Sequence, residues 1–311
     1  MKSNTYTRSA IIAAACSALL AVAACGKSEQ PAANGESTEV ATAVAESPDA
    51  QQKYGSYAEG FNELIGTFGV AYQYETYQKQ NIASAQPSAT INFPANITLL
   101  ERGLAKIKEG RALNGGNSAA AADAAADKLI QNGEALVAKV KELAPYYETR
   151  GYREDALAKG KAAHADLVAA YEGTLAAIDE LDTILTEQNR ARNAKNIADL
   201  RKAGEDNAAN LVEASSEAEL LVSHALAGKI AEADAVLPKL EAALTKLRDS
   251  HAKMSDSDMS KMHYSMTTDA LTSLVGSYRD FKQSPSDSNK DALLRNYNQS
   301  VEASNRVELP A

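Results

Sequence analysis

Apolar positions recur at three- and four-residue intervals over most of this chain, the pattern of helices that bury one face. From about Gln51, residues Tyr54, Tyr57, Phe61, Leu64, Phe68 and Tyr72 follow at steps of 3, 4, 3, 4 and 4, which predicts one helix with an aromatic face. Pro87 and Pro94 mark a break. Ile97, Leu100, Leu104 and Ile107 predict a second helix. Asn114-Gly115-Gly116-Asn117 reads as a turn, with Ser118 as the N-cap of a third helix from about Ala119 to Leu143 that Pro145 ends.

The longest periodic stretch starts near Asp155. Leu157, Gly160, His164, Leu167, Tyr171, Ile178, Leu181 and Leu185 form its stripe. The stripe weakens from Gln188 to Asn210 and resumes at Leu211, Ala218 and Leu221, so the pattern fits one bent helix or two. Gly228 is the expected stop. Ile230 to Met254 carries another stripe with Pro238 inside it, as a kink or a new start. Two helices follow, about Asp258 to Phe281 and Ser286 to Asn305, with Ser284-Pro285-Ser286 as the turn. No segment sustains a two-residue alternation. The expected fold is all-α, an antiparallel bundle over residues 51–311.

The first fifty residues read differently. Lys2 and Arg8 precede an apolar run from Ala10 to Ala24, and Val22-Ala23-Ala24-Cys25 closes it. A basic start, a short apolar stretch and small residues before a cut form a secretory signal. With cysteine directly after the cut, it resembles the lipobox of bacterial lipoproteins, which implies cleavage before Cys25 and its lipidation. A membrane-spanning helix needs about 20 apolar residues, more than this run supplies. Gly26 stands where an Asp would favour inner-membrane retention in enteric-type bacteria, so the resemblance implies the outer membrane, on its periplasmic side. Residues 1–24 are thus the expected signal. Residues 25–50, rich in Ala, Glu, Ser and Pro, are an expected acidic tether with too little apolar surface to fold.

Charge and cysteine usage narrow the functions. The 311-residue chain has a net charge of -9, and loss of Lys2 and Arg8 with the signal takes it to -11. Such a surface repels nucleic acid, which is set aside as a partner. Of the two cysteines, Cys16 leaves with the signal and Cys25 is acylated, so no thiol remains for a disulfide, metal site or nucleophile. With no Trp, 4 Phe, 13 Tyr and abundant Ala, the helices are expected to pack closely through small residues.

Catalytic motifs are lacking. The histidines are His164, His224, His251 and His263, and none lies in a His-Glu-x-x-His motif. There is no Gly-x-Ser-x-Gly elbow and no phosphate-binding glycine loop. Met254, Met259, Met262 and Met266 gather beside His251 and His263. Thioether and imidazole ligands suit Cu(I), but the same spacing buries a helix face, and packing is the favoured reading. No resident cofactor or metal is expected. His164 lies on an apolar stripe, and a fold-back at Pro145 would gather Tyr146, Tyr147, Tyr152 and Tyr171 near it. Such a crevice could hold a ligand or form a hydrogen-bonded polar plug in the core.

Tyr146-Tyr147, Tyr152, Asp155, Lys159-Gly160-Lys161, His164, Leu167 and Tyr171 resemble the central motif of the YiiG-like bacterial lipoproteins, which carry a domain of unknown function. The tyrosine-rich helix after an acidic tether is also similar to theirs. The resemblance implies a helical, lipid-anchored domain of the cell envelope without an assigned reaction, and brings no catalytic residues. The expected protein is therefore non-enzymatic. It is bound to a membrane through Cys25 and presents helix faces to an envelope partner; the alternative is binding of a small ligand or copper.

Overall fold

A computed structural model describes residues 48–254 and 259–307. Among them the chain forms nine α-helices and no strand: α1 (Pro48–Ile65), α2 (Val70–Lys79), α3 (Ile97–Ala112), α4 (Ala120–Glu148), α5 (Ala158–Ala203), α6 (Asp206–Leu226), α7 (Ile230–Lys253), α8 (Met259–Gln283) and α9 (Asp287–Ser304). The signal segment, Cys25 and most of the tether lie outside the described residues. The helical part starts at Pro48, a little before the expected boundary, and Ala50 is already buried.

Polar bridges between helices fix an antiparallel register. On α1 and α3, Lys53 reaches the Gly110 carbonyl, Glu59 pairs with Lys106 and Glu63 with Arg102. On α3 and α4, Glu101 pairs with Lys141, Lys108 with Glu134 and Arg111 with Asp127. Lys139–Asp166 and Lys128–Glu180 do the same for α4 and α5. Further along, Asn210–Ser250 and Glu213–Lys246 join α6 to α7, and Asp234–Lys282 and Glu241–Arg279 join α7 to α8. In each pair, numbers rise on one helix as they fall on the other. Exposed pairs of this kind add little stability each; here they mark alignment.

The apolar faces meet in two main clusters. The first draws on α1 to α5, from Tyr54 to Leu185; the second draws on α6 to α9, from Leu211 to Val307. Helix α5 packs on α4 through its first half, then runs on to pack against α6. Close approach through small residues, expected from composition, occurs where α1 meets α3: a Cβ on Gly60 would lie 2.6 Å from the Gly103 carbonyl oxygen.

Several boundaries differ from expectation. The stripe from Tyr54 to Tyr72 is two helices. Gly66 to Gly69 form a turn in which a Cβ on Gly69 would sit 2.2 Å from the Leu64 carbonyl oxygen. The chain thereby changes direction, and Phe68 and Tyr72 are turned out to solvent. Ser118 does not cap α4; its hydroxyl donates to the Gly115 carbonyl, and Ala119 takes the cap position. Pro145 does not end α4, which continues to Glu148. Thr149 donates both its N–H and its hydroxyl to the Pro145 carbonyl, and Tyr147 is buried, which together hold the extra turn. Pro238 lies inside one continuous helix. The long central stretch is two helices, because Gly204 at φ +82° is a left-handed cap: its N–H bonds to Arg201 and that of Glu205 to Leu200. Gly228, also at positive φ, follows α6 as expected.

Candidate functional site

The motif residues meet where α2, α4, the start of α5 and the irregular segment 80–96 come together. Tyr146 and Tyr147 end α4, Tyr152 sits in a short 3-10 turn, and Gly160, His164 and Tyr171 share one face of α5. Tyr152, Tyr171 and Tyr147 are buried. Helix α2 adds Tyr74 and Tyr77. Tyr77 hydrogen-bonds His164 Nδ1 at 2.9 Å, and Tyr74 donates to Glu172 at 2.8 Å. The Tyr171 ring stacks on Tyr74 at 5.3 Å and on Tyr77 at 6.2 Å. From segment 80–96, Phe93 stacks on Tyr147 at 4.5 Å and 13° and meets Tyr77 edge-on.

Hydrogen bonding inside the cluster is incomplete. The hydroxyls of Tyr147 and Tyr171 are buried and have no hydrogen-bond partner among the described residues. The Tyr147 hydroxyl lies over Gly160, where a Cβ would come within 2.5 Å of it. This contact is the reason a glycine stands at that point of α5. Burial pushes the Tyr77 phenol up to about 12 and raises those of Tyr147 and Tyr171 further, with the nearby Tyr77 adding to both. All three phenols are therefore neutral at physiological pH.

A second part of the motif builds the turn between α4 and α5. Tyr146 donates to Asp155 Oδ1 at 2.7 Å, and Asp155 Oδ2 accepts the Lys159 N–H at 3.0 Å. Asp155 thus supplies the acceptor at the start of α5, and the backbone N–H of Lys159, first among its partners, holds its carboxyl below the ordinary range. The Tyr146 phenol, raised to about 12 mainly by desolvation, also faces the Gly160 N–H and the Lys159 ammonium. Arg150, Ala156 and Leu157 adopt left-handed φ of 60°, 54° and 67°. Three non-glycine residues in that region within one short turn constitute stored strain. Lys161 is exposed and lies outside this network.

The structure thus gathers the predicted motif into one neighbourhood, apart from Lys161. Sequence reading missed Tyr74, Tyr77 and Phe93. The Tyr74–Tyr77 spacing of three was the available signal, but the stripe was ended at Tyr72.

The methionine group behaves otherwise. Met254 packs against the second cluster, but Met262 and Met266 are 49% and 44% exposed. Core packing, the favoured reading, therefore fails for these two: the α8 face that buries Tyr264, Leu271 and Leu274 is a different one. No group of three or more His, Cys, Asp or Glu that could hold a metal ion occurs among the described residues.

Where α5 crosses α6, Asp182 is only partly exposed, with Asp179 and Glu219 nearby. Desolvation first, and the two carboxylates second, push Asp182 up to about 7. Glu219 is buried, held by the Asn189 amide at 3.2 Å, and its carboxyl is likewise raised by desolvation.

A family model described as "Protein of unknown function (DUF3829)" matches residues 49–307. No curated protein and no solved structure matches the chain.

Proposed function

We propose, for a chain that belongs to the DUF3829 family of proteins of unknown function, that it is a non-enzymatic, lipid-anchored interaction module of the bacterial cell envelope. In this reading Cys25 carries the lipid on the periplasmic side of the outer membrane, and the acidic segment spaces the helical domain from the surface. The lipobox-like Val22–Cys25 and the resemblance of the central motif to the YiiG-like lipoproteins support the anchor. No helix among the described residues is long and apolar enough to cross a membrane, so attachment in this reading falls on Cys25.

One observation carries the interaction role. Phe68, on the turn between α1 and α2, and Tyr72, in the first turn of α2, are 55% and 48% exposed and pack edge-to-face at 5.3 Å. The flanks of α1, α3 and α4 are covered by ion pairs instead. Aromatic side chains held out of the core and next to each other are typical of interface centres. The test places a photo-crosslinking amino acid at Phe68 and, separately, at Lys108 in intact cells. A discrete adduct at Phe68, absent at Lys108 and lost with Cys25→Ser, is the expected result. Absence of any Phe68-specific adduct, or membrane attachment that persists in Cys25→Ser, would sink the reading.

A second reading is small-ligand binding within the same domain. The buried, unpartnered hydroxyls of Tyr147 and Tyr171 favour it.

A further inference from the structure

We infer that the exposed face of α8 carrying Met262, His263 and Met266 is a binding site for a soft monovalent cation, Cu(I). The inference goes beyond both readings above and is independent of the lipid anchor and of Phe68.

Its starting point is the methionine face that the core does not cover. All methionines after Met1 fall between Met254 and Met266. Among the described residues, the large apolar side chains left exposed are Phe68, Tyr72, Met262 and Met266. A single exposed apolar side chain needs no explanation. Two methionines one helical turn apart, in a chain with only 5, call for one. The buried residues of this stretch are Tyr264, Thr267, Thr268 and Leu271, which lie on the opposite side of α8 from Met262 and Met266. Helix α9 packs antiparallel on α8, with Asn296 reaching Ser273 and Ser277 and Asn289 reaching the Asp280 carbonyl. Carried along that register, the end of α9 at Ser304 comes level with about Met266. The first turns of α8 therefore extend beyond α9.

Three donors share this free face. Met262 and Met266 are i,i+4 neighbours, a spacing that sets Cβ atoms about 5–6 Å apart. His263 stands three residues before Met266, which makes a second neighbouring pair. The flexible methionine side chain lets both thioethers swing onto one ion beside the imidazole. Met259 opens the helix three residues before Met262, at a register position on the same side. The backbone carbonyl of His263 accepts from Thr267. Its ring makes no hydrogen bond among the described residues, unlike that of His164, whose Nδ1 is taken by Tyr77. Asp269, exposed and three residues beyond Met266, adds negative charge.

The donor set selects the ion. Thioethers are soft and uncharged, and they favour Cu(I) over harder divalent cations. Zinc and calcium sites are built from thiolates, imidazoles and carboxylates. No group of three or more His, Cys, Asp or Glu that could hold a metal ion occurs among the described residues.

The test uses the full chain carrying Cys16→Ser and Cys25→Ser, so that no thiol competes. It is titrated with Cu(I) in the absence of oxygen and, in parallel, with Zn(II). Cu(I) should form a one-to-one complex. Met262→Leu, Met266→Leu and His263→Gln should each weaken it about tenfold, whereas Met254→Leu, in the second core, should leave it unmoved. Zn(II) affinity should not respond to the methionine changes. Ag(I), which has the same charge and no redox step here, should shift the methyl resonances of Met262 and Met266 but not that of Met254. Leucine keeps the bulk at exposed positions, and circular dichroism checks that the helices persist. No Cu(I) uptake, Cu(I) affinity unmoved by the combined Met262→Leu and Met266→Leu changes, or Zn(II) binding lost with those same methionines would each overturn the inference.

Discussion

Lys53 places an ammonium group where α1 crosses the carboxyl-terminal end of α3. Its side chain is fully buried; Nζ donates to the carbonyls of Gly110 at 3.2 Å and Leu113 at 2.8 Å and lies 2.6 Å from Asp123. Those carbonyls lie at the carboxyl-terminal end of a helix, where positive charge is favoured. Tyr57, one turn along α1, donates to the same Asp123 at 2.6 Å, and the carboxylate helps to raise its phenol well above the ordinary range, second to burial itself. Lys53→Met should therefore cost about 3 kcal/mol in urea unfolding, because two carbonyls and a carboxylate each lose a partner. A loss below about 1 kcal/mol would show that solvent or Arg111 replaces the ammonium. Lys53 was half legible from sequence. It falls four residues before Tyr57, on the same face, yet a lysine among tyrosines reads as a solvated edge until α3 supplies its acceptors.

The helices themselves were legible because periodicity reports burial directly. Their ends were less so, because ends depend on tertiary contacts. Tyr72 continues the spacing of α1, but the backbone at Gly69 leaves no room for a side chain against Leu64, so the chain turns there whatever the spacing. Pro145 and Pro238 look like breaks and are carried within helices. The motif around His164 was found, yet its division into a turn-building part, Tyr146 and Asp155, and a buried aromatic part could not be read from spacing. That division depends on Tyr77 and Phe93, which are distant in sequence. Close helix contacts show the same dependence on a partner. Gly60→Ala should gain helix propensity of about 1 kcal/mol, but its Cβ would meet the Gly103 carbonyl at 2.6 Å and Ile107 Cδ1 at 2.8 Å. A net loss of about 2 kcal/mol is expected from thermal or urea unfolding, and a stabilised variant would contradict the tight α1–α3 packing.

Across the whole molecule, the crossing of α5 and α6 makes stability depend on pH. Asp182 is raised to about 7 from an unfolded value of 3.8, so between these values the folded chain holds a proton that the unfolded chain has released. Stability therefore falls as pH rises through this range. Glu219, raised by burial, acts in the same direction, whereas His224, lowered by burial, acts in the opposite one. Asp182→Asn isolates the effect. The unmodified chain should lose on the order of 2 kcal/mol from pH 5 to pH 8 relative to the variant, which should be the more stable of the two at pH 8. Parallel urea midpoints for both chains at the two pH values would refute this. The same crossing separates two clusters that share no stretch of sequence: the first is complete at Leu185, and the second begins at Leu211. A chain delivered amino-terminus first can close its first core while the second is still being made. Because α3 packs on α1, α4 on α3, α5 on α4 and α7 on α6, most new segments find a partner already waiting, while α2 waits for α5, and the order of emergence largely becomes the order of assembly.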